Sequence, residues 1–299
     1  MNTKTKNSRI AIVGAGPAGI ATAIQLKRYH IDPIIFEQGE IGGLLINANL
    51  VENYPGFPAG ITGAALVKLF SKQFNDSGIE YYNEKLLSVK YEHKTFFLAS
   101  NERTVQADIL VLATGTKPKT LANLQIPDDI SSRVTYEVYP LINEKNMSIA
   151  IIGGGDAAFD YALNLSKQND VIILHRGNEI RCLPLLLERS RMVERIIYRQ
   201  NIEVSKINIV GHRLSLALRS GNKEISECLE ADYLVIAVGR KPNLDYLEGD
   251  LRNKLESVIR KNVLYLIGDV TNDIYRQTAI CVGDGVRTAM RINRHINGE

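Results

Sequence analysis

Apolar, β-branched runs that end at glycine recur along the chain. RIAIVGAGPAGIATAIQL begins with Ile10, Ile12 and Val13, meets a glycine cluster, and continues with apolar residues at helical spacing. SIAIIGGGDAAFDYALNL repeats the same order. Further runs predict buried strands: DPIIFE, ADILVLATG, DVIILHR, ADYLVIAVG and LYLIGDV. Strands that alternate with helices predict an α/β fold.

Two of these runs, ADILVLATG and ADYLVIAVG, are each followed by a Lys-Pro pair, at Lys117-Pro118 and Lys241-Pro242. Proline disfavours regular structure just before it, so both places are predicted linkers. A chain of 299 residues also suits two domains rather than one. We therefore predict two doubly wound, Rossmann-like (three-layer) nucleotide-binding domains. The first is discontinuous, from 1–117 and 242–299, and the second, 118–241, is inserted in it.

The first glycine cluster has the spacing of a dinucleotide-binding turn. Gly14 permits the tight turn, Gly16 lets a pyrophosphate approach the backbone, and Gly19 lets helix and strand pack closely. The next strand ends in Glu37, near the spacing of about 20 residues at which a carboxylate accepts from a ribose 2′-hydroxyl. The alternative is a glycine-rich turn that binds no ligand.

The second cluster predicts a second nucleotide site. Gly153, Gly155 and Ala158 stand in the same strand–turn–helix setting, with Asp156 and Ala157 between them. Two such turns in one chain predict two nucleotides. That organisation is typical of a flavoprotein that takes hydride from a nicotinamide.

The strand after the second cluster ends in His175 and Arg176, where the first has an acid. A cation there suits the 2′-phosphate of NADP, and Arg181 is a second candidate ligand for it. Gly177 offers no contact. The sequence thus favours NADPH, with NADH as the alternative, and the two arginines could also be ordinary solvated charges.

Composition excludes several classes of function. The formal net charge is +3, Trp is absent, and no basic run with interleaved aromatic residues predicts nucleic-acid binding. No apolar stretch reaches the ~18 residues that span a bilayer. The start, MNTKTKNSRI, predicts a short polar tail and not a signal peptide. Cys182, Cys228 and Cys281 are sparse and far apart, which predicts no disulfide framework, no thiolate metal site and a cytoplasmic location.

Taken in order, these motifs resemble the low-molecular-weight thioredoxin reductase family over nearly the whole chain. GAGPAG with Glu37 looks like its FAD fingerprint, IGGLLINANLVENYPGFPAGITG like its flavin-side loop, and YRQTAICVGDG like the segment against the flavin. LATGTKP and LIGDV match its two linker-proximal signatures. The resemblance implies FAD, a nicotinamide nucleotide and a homodimer.

The resemblance also assigns further residues to these ligands. For FAD they are Pro17, Ala18, Gln38, Gly43, Leu44, Asn53, Ala113, Thr114, Gly115, Gly268, Asp269, Arg276, Gln277 and Thr278. For the nicotinamide nucleotide it adds Gly239. Within this set Asn53 approaches the isoalloxazine, Asp269 binds the ribitol and Gln277 lies against the flavin. Leu44 stands where the family usually has Gln.

VTYEVYP, residues 134–140, departs from the family. It falls where the family carries its redox-active Cys-x-x-Cys, so that Glu137 and Pro140 stand at the two thiol positions. Leu141 replaces the acid that follows. No other pair of cysteines could replace the dithiol, which predicts that this chain does not reduce thioredoxin by the family's mechanism.

Several electron acceptors stay open. Six arginines from Arg176 to Arg199 could steer an acidic carrier such as ferredoxin or flavodoxin, and the alternative is the merely solvated basic face of an amphipathic helix. The runner-up is a small acceptor: a quinone, oxygen or a low-molecular-weight disulfide, with Glu137 or Tyr139 beside the flavin as weak catalytic candidates. Cys281 is a candidate for a single-cysteine disulfide reductase. A redox sensor that binds both nucleotides without turnover is a third hypothesis.

Overall fold

The computed structural model describes residues 9–221 and 223–299, with the side chains of 224–227 left outside the description. The predicted polar tail, residues 1–8, lies outside the described residues. The strands are β1 Ile10–Val13, β2 Ile34–Glu37, β3 Glu80–Asn83, β4 Leu86–Glu92, β5 Thr95–Ser100, β6 Thr104–Ala107, β7 Ile109–Leu112, β8 Thr116–Pro118, β9 Val134–Thr135, β10 Ser148–Ile152, β11 Asp170–His175, β12 Ile196–Gln200, β13 Glu203–Val210, β14 Arg213–Ser220, β15 Lys223–Ala231, β16 Tyr233–Ile236, β17 Arg240–Pro242 and β18 Leu264–Leu266. The α-helices are α1 Pro17–Arg28, α2 Gly63–Asp76, α3 Asp156–Leu165, α4 Pro184–Arg191, α5 Gly249–Asn253, α6 Leu255–Ile259 and α7 Thr278–Ile296.

The described chain divides into two compact units. The first unit comprises Val51–Lys117, Lys241–Glu299 and the residues up to Ile46. The second unit comprises Asn47–Leu50 and Pro118–Arg240. The short strands β8 and β17 pair with each other where the chain passes from the first unit into the second and returns.

A parallel sheet forms the centre of the first unit, in the order β18-β7-β1-β2-β3. All four residues of β1 are buried, as expected of a strand covered on both faces. Successive side chains of a strand point to opposite faces, so the strand residues divide between two cores. Ile10 and Ile12 pack against α1, α2 and α7, whereas Ala11 and Val13 face the other core.

The second face of this sheet is covered by the antiparallel sheet β4-β5-β6 and the short helices α5 and α6. Phe96 and Leu98 of β5 point inward, and their neighbours alternate with them. This period-two pattern forms a strand and cannot present the apolar stripe of a helix. The unit therefore has three layers, with α1, α2 and α7 on one face and a β-sheet with two short helices on the other.

The second unit repeats this architecture. Its parallel sheet has the order β12-β11-β10-β16-β9. One face packs against α3 and α4, with Phe159 and Leu165 as buried helix residues. The other face packs against the antiparallel sheet β13-β14-β15, with Leu214 and Leu216 at the contact. The predicted α/β class with two Rossmann-like units is confirmed, and the antiparallel sheets are the layer that the prediction of doubly wound units did not specify.

The described residues contain no helix that combines the length and the apolar character needed to cross a bilayer.

Candidate functional site

The first glycine turn joins β1 to α1 in the first unit. Gly14 has φ +101°, and a Cβ there would lie 2.4 Å from the Ala113 carbonyl oxygen. A Cβ on Gly19 would lie 1.9 Å from the Gly14 oxygen, so helix and turn approach too closely for any side chain. A Cβ on Gly16 would meet nothing within 4 Å. The turn is thus closed by two glycines and open at the middle one, the arrangement that leaves backbone accessible to a pyrophosphate.

The amino terminus of α1 lies at this open position. Gly16 is its N-cap, no side chain caps the helix, and Pro17 takes the first helical position. The first N–H groups of a helix have no partner within it, and they carry partial positive charge. An uncapped twelve-residue helix that begins at an open glycine fits a bound phosphate.

Glu37, at the end of β2, turns back to the first turn. Its Oε2 accepts the Ala15 N–H at 2.7 Å, and its Oε1 accepts the Gly39 N–H at 2.9 Å. Each oxygen keeps a further lone pair, so the half-buried carboxylate can still accept from the hydroxyls of a ribose. Gln38 follows it and is exposed.

Several assigned FAD residues surround the same turn. The Gly42 N–H donates to the Ala15 oxygen at 2.8 Å, and a Cβ on Gly43 would lie 3.3 Å from the Gly16 Cα. This places the 3-10 helix Gly43–Asn47, with the exposed Leu44, against the glycine turn.

Thr114 and Gly115 follow β7, at the same edge of the sheet. The Thr114 hydroxyl donates to the Asn243 carbonyl at 2.8 Å and accepts from the Tyr246 hydroxyl at 3.1 Å. Burial raises the pKa of Tyr246, so this phenol stays protonated as a donor. The Asn243 N–H bonds the Gly115 carbonyl at 3.1 Å. These contacts bind Asn243 and Tyr246, which lie where the chain returns to the first unit, and they use the Thr114 hydroxyl as both donor and acceptor.

The start of α7 forms a second open helix terminus in this unit. Its N-cap is Gln277, and no side chain caps it. The Gln277 Oε1 accepts from the Asn53 Nδ2 at 2.8 Å, which joins two residues assigned to the flavin from far apart in the chain. Arg276 is half-buried just before them, and Thr278 begins the helix.

Asp269 lies beside Gly268, whose φ of +69° favours glycine. The Cys281 thiol donates to the Asp269 Oδ1 at 3.2 Å. Burial and this carboxylate raise the pKa of Cys281 far above its ordinary range. Asp284, buried on α7, accepts from the Gly268 N–H at 3.4 Å and from the Asn272 Nδ2 at 2.7 Å. Asp284 was not a sequence candidate, and VGDG at a helix start is the signal that could have found it.

The second glycine turn joins β10 to α3 in the second unit. A Cβ on Gly153 would lie 2.5 Å from the Ala237 oxygen and 3.0 Å from the Ala158 Cβ. Gly155, the uncapped N-cap of α3, has only the Arg181 oxygen nearby, at 3.8 Å. Asp156, in the first helical turn, accepts the Leu183 N–H at 2.7 Å. Ala157 beside it is exposed.

The imidazole of His175 covers the middle of this turn. A Cβ on Gly154 would lie 2.5 Å from the ring, and one on Gly177 would lie 3.0 Å from it. The ring Nδ1 bonds the Tyr198 hydroxyl at 2.9 Å. Burial, followed by the charges of Arg176 and Arg181, lowers the pKa of His175, which favours the neutral ring. Gly177, which has no ligand role in the sequence prediction, gives room to His175.

A cavity of about 260 Å³ opens beside His175. Its lining is the segment after β11: His175, Arg176, Gly177, Asn178, Glu179 and Arg181. The Arg181 N–H donates to the Gly154 oxygen at 3.0 Å, so the backbone of this segment is fixed to the glycine turn. The structure therefore brings Arg176 and Arg181 to one cavity. Gly239, with φ +102°, lies past β16, where its carbonyl accepts the Lys119 N–H at 3.0 Å.

Glu137 lies in a cluster that sequence reasoning did not find. Its Oε1 forms an ion pair with the Arg240 Nη1 at 2.5 Å, and its Oε2 accepts from the Tyr161 hydroxyl at 3.3 Å. Burial and the Glu137 charge raise the pKa of Tyr161, which keeps it a donor. Tyr139, two residues on, is 43% exposed. No local pattern could predict this cluster, because Glu137 and Arg240 are far apart in sequence.

The segment Asn47–Leu50 is fixed within the same unit. The Asn47 Oδ1 accepts the N–H groups of Val138 at 3.1 Å and Tyr139 at 2.9 Å. The Asn49 N–H donates to the Asp160 Oδ2 at 2.9 Å. Burial raises the pKa of Asp160 to about 6.

The three cysteines are free: Cys182 is half-buried, Cys228 is exposed and Cys281 is buried. The described ranges hold no group of three or more His, Cys, Asp or Glu that could bind a metal ion.

Comparisons with known proteins agree with this architecture. The family model for pyridine nucleotide-disulphide oxidoreductases matches residues 8–285. A thioredoxin reductase of Chlamydia pneumoniae is 30% identical, covering 97% of this chain and 99% of its own length. The solved thioredoxin reductase of Lactococcus lactis has a TM-score of 0.87 at 22% identity, over 98% of this chain and 100% of that chain. A bacillithiol disulfide reductase of Staphylococcus aureus has a TM-score of 0.73 at 18% identity, over 97% and 98%. At these identities the two solved structures support the fold alone.

Proposed function

The chain belongs to the pyridine nucleotide-disulphide oxidoreductase family, and on that premise we propose that it is an FAD-containing, NAD(P)H-dependent oxidoreductase without a redox dithiol. It would pass electrons from NADPH to an acceptor outside the chain. Ferredoxin or flavodoxin is the acceptor class that we put first.

The first unit supports FAD binding. The open Gly16 and the uncapped start of α1 fit a pyrophosphate, and Glu37 fits the adjoining ribose. Asp269 and the uncapped start of α7 fit the flavin half. When bound, FAD supplies the acceptance of hydride from a nicotinamide and the release of electrons. The residues of the chain bind and orient it.

The second unit supports a nicotinamide nucleotide. Gly155 and the start of α3 fit the pyrophosphate of the nucleotide. The cavity beside His175 follows β11, the position at which a Rossmann-like unit contacts the adenosine ribose. Arg176 and Arg181 favour a 2′-phosphate there. We therefore propose NADPH as the better donor and NADH as a weaker one.

The observation that carries the dithiol-free proposal is the cluster around Glu137. The position that the resemblance gives to the first thiol holds a carboxylate in a close ion pair with Arg240. A carboxylate–guanidinium pair can carry charge but has no two-electron chemistry comparable to a dithiol. The chain also has no Cys-x-x-Cys anywhere.

Charge supports an acidic protein carrier. Helix α4 ends with Arg189 and Arg191 in its last turn, and Arg191 is exposed. Arg195, also exposed, lies 3.9 Å from Asp170, a distance at which an exposed pair contributes little. Exposed positive charge of this kind accelerates encounter with an acidic partner.

A small acceptor is the second candidate, and the exposure of Tyr139 favours it, because an aromatic ring open to solvent can stack on a quinone. The bacillithiol disulfide reductase among the similar structures makes a low-molecular-weight disulfide one acceptor to test. A single-cysteine mechanism through Cys281 is disfavoured, because its thiol is buried and its pKa is raised. A sensor that binds both nucleotides without turnover would use the same two open turns, so flavin reduction is what distinguishes it.

The first test is the anaerobic reduction of the bound flavin, followed by its visible absorption. We expect NADPH to bleach the flavin band rapidly and NADH to do so more slowly. A flavin that neither nucleotide bleaches would contradict the proposed NAD(P)H oxidoreductase and favour the sensor.

The second test adds acceptors to the reduced protein. Ferredoxin, flavodoxin, a quinone, oxygen and a low-molecular-weight disulfide are compared, with thioredoxin as the expected negative. If a protein carrier reoxidises the flavin, Arg191→Glu should slow that step at low salt, and Arg260→Glu, an exposed charge in the other unit, should not. Rapid thioredoxin reduction would refute the expectation that this chain does not use thioredoxin as its acceptor.

A further inference from the structure

One acidic side chain lies in the cavity beside His175, among the two arginines that would bind a 2′-phosphate. Resting on the proposed nicotinamide site, we propose that Glu179 is a specificity-determining residue. Its carboxylate weakens binding of a 2′-phosphorylated adenosine and accepts a bare 2′-hydroxyl, so that the pocket takes both nucleotides.

The backbone brings Glu179 and Arg181 together. Two backbone hydrogen bonds fix the segment from Arg176 to Arg181. Before it, the Ile202 N–H donates to the His175 carbonyl at 3.0 Å, and at its end the Arg181 N–H donates to the Gly154 carbonyl at 3.0 Å. Between these two points the Glu179 Oε2 lies 3.7 Å from the Arg181 Nη2. Both side chains are mostly exposed, at 77% and 84%, and both line the cavity. A ligand can therefore reach either one.

The charge of the cavity is lower than its arginines suggest. Arg176 and Arg181 contribute two positive charges, Glu179 removes one, and His175 is neutral near pH 7. Arg176 forms no ion pair within the part of the chain that the structure describes, whereas the Arg181 guanidinium is paired with the Glu179 carboxylate. A phosphate dianion must therefore displace Glu179 from Arg181 or bind close to a like charge, and either lowers its affinity.

A bare ribose meets the opposite situation. Its 2′-hydroxyl can donate to a carboxylate, which is the role of the acid in NAD-binding turns. The residue at the end of β11, His175, is an imidazole and not a carboxylate; its Nδ1 bonds the Tyr198 hydroxyl, and its ring covers Gly154. Glu179 is the carboxylate in the cavity lining that can. Asp156 lies at the start of α3 and faces the Leu183 N–H, so it affects both nucleotides alike.

The test compares binding of 2′,5′-ADP and 5′-AMP to the purified, flavin-containing protein by isothermal titration calorimetry. These two probes differ only in the 2′-phosphate and need no turnover. Glu179→Gln removes the charge and keeps the size, and Glu188→Gln, an exposed acid on α4 outside the cavity lining, is the control.

We expect Glu179→Gln to tighten 2′,5′-ADP about three- to tenfold, most strongly at low salt, as for loss of one exposed like charge. It should leave 5′-AMP unchanged or weaken it, and Glu188→Gln should change neither. If Glu179→Gln leaves the ratio of the two affinities unchanged, the role of Glu179 is refuted while the nucleotide site stands. If the unaltered protein binds neither probe, the nicotinamide site fails, and the inference fails with it.

Discussion

Replacement of Arg240 by alanine should lower the free energy of unfolding of the second unit by about 2 kcal/mol. The guanidinium and the Glu137 carboxylate are 22% and 24% exposed and lie 2.5 Å apart. Loss of one partner leaves the other as a charge mostly removed from water. Fully buried pairs lose about 3–5 kcal/mol in this way, and exposed pairs about 0–1 kcal/mol. A pair with about three quarters of its surface covered should lie between these limits.

The remaining contacts of Glu137 limit the loss. The Tyr161 hydroxyl still donates to its Oε2 at 3.3 Å, so one hydrogen bond to the carboxylate survives in the variant. The Glu137 N–H also keeps its bond to the Thr135 hydroxyl, at 3.1 Å. We therefore expect partial destabilisation and a protein that still folds.

Hydrogen exchange measured by mass spectrometry gives the free energy of each unit separately, which a single melting curve of a two-unit chain does not. Peptides from β10 and β16 report on the second unit, and those from β1 and β7 on the first. Arg195→Ala is the matched control, since its pair with Asp170 is exposed and 3.9 Å long, and it should change stability by less than about 0.5 kcal/mol.

A second substitution separates charge burial from lost packing. The double variant Arg240→Ala with Glu137→Gln removes the Glu137 charge that has lost its partner, and it should regain about half of the stability lost in Arg240→Ala. If Arg240→Ala costs no more than Arg195→Ala, or if Glu137→Gln worsens the variant, the ion pair is not what stabilises this cluster.

Three further predictions concern other sites. Asp160 has a folded pKa of about 6, above its unfolded value, so its protonated form stabilises the fold below pH 4 and this contribution is lost as the pH rises through 6. Asp160→Asn should remove that slope and stabilise the protein at pH 8 by about 1–2 kcal/mol, measured by urea unfolding from pH 4 to 8, and an unchanged slope would contradict the assignment. Gly16→Ala adds a methyl group in open space, so it should lower the free energy of unfolding of the apoprotein by about 1 kcal/mol or less. The same methyl group should sharply lower the amount of flavin that the protein retains on purification. Full retention of flavin would mean that the pyrophosphate binds elsewhere. With Ellman's reagent at pH 8, the exposed Cys228 should react in the folded protein, and the buried Cys281 should react only on unfolding. Fast labelling of Cys281 in the folded protein would support a mechanism that uses its thiol.

Sequence reasoning succeeds where geometry is local. The order of strand, glycine turn and helix at Gly14 and Gly153 follows from neighbouring residues, because the turn and the close packing depend on the chain within a few positions. Glu37 is equally predictable, since a parallel neighbour strand brings its end to the same edge of the sheet as the turn. In the structure its carboxylate bonds the Ala15 N–H of that turn.

The contacts that sequence reasoning could not find join distant segments. Thr114 was assigned to FAD, and its hydroxyl bonds Asn243 and Tyr246, on the part of the chain that returns to the first unit. The sequence predicts Glu137 as a weak catalytic candidate beside the flavin, and its ion pair with Arg240 joins a residue after β9 to the first residue of β17. Neither pairing leaves a periodic signal, because each depends on tertiary positions alone.

The two glycine turns share one local geometry and differ in the residue that ends the following strand. In both, the first glycine lies against the carbonyl oxygen of the residue that follows a neighbouring strand, Ala113 in one and Ala237 in the other. The geometry of the turn is therefore repeated, and the difference lies at the end of the next strand. There Glu37 returns to its turn and presents a carboxylate, whereas His175 covers its turn as a neutral ring. At the proposed nicotinamide site of the second unit, the choice between a bare ribose and a 2′-phosphate would therefore depend on the loop that carries Arg181 and Glu179. A loop can change such side chains without disturbing the turn, which makes this loop the place where the proposed nucleotide preference can be altered independently of the fold.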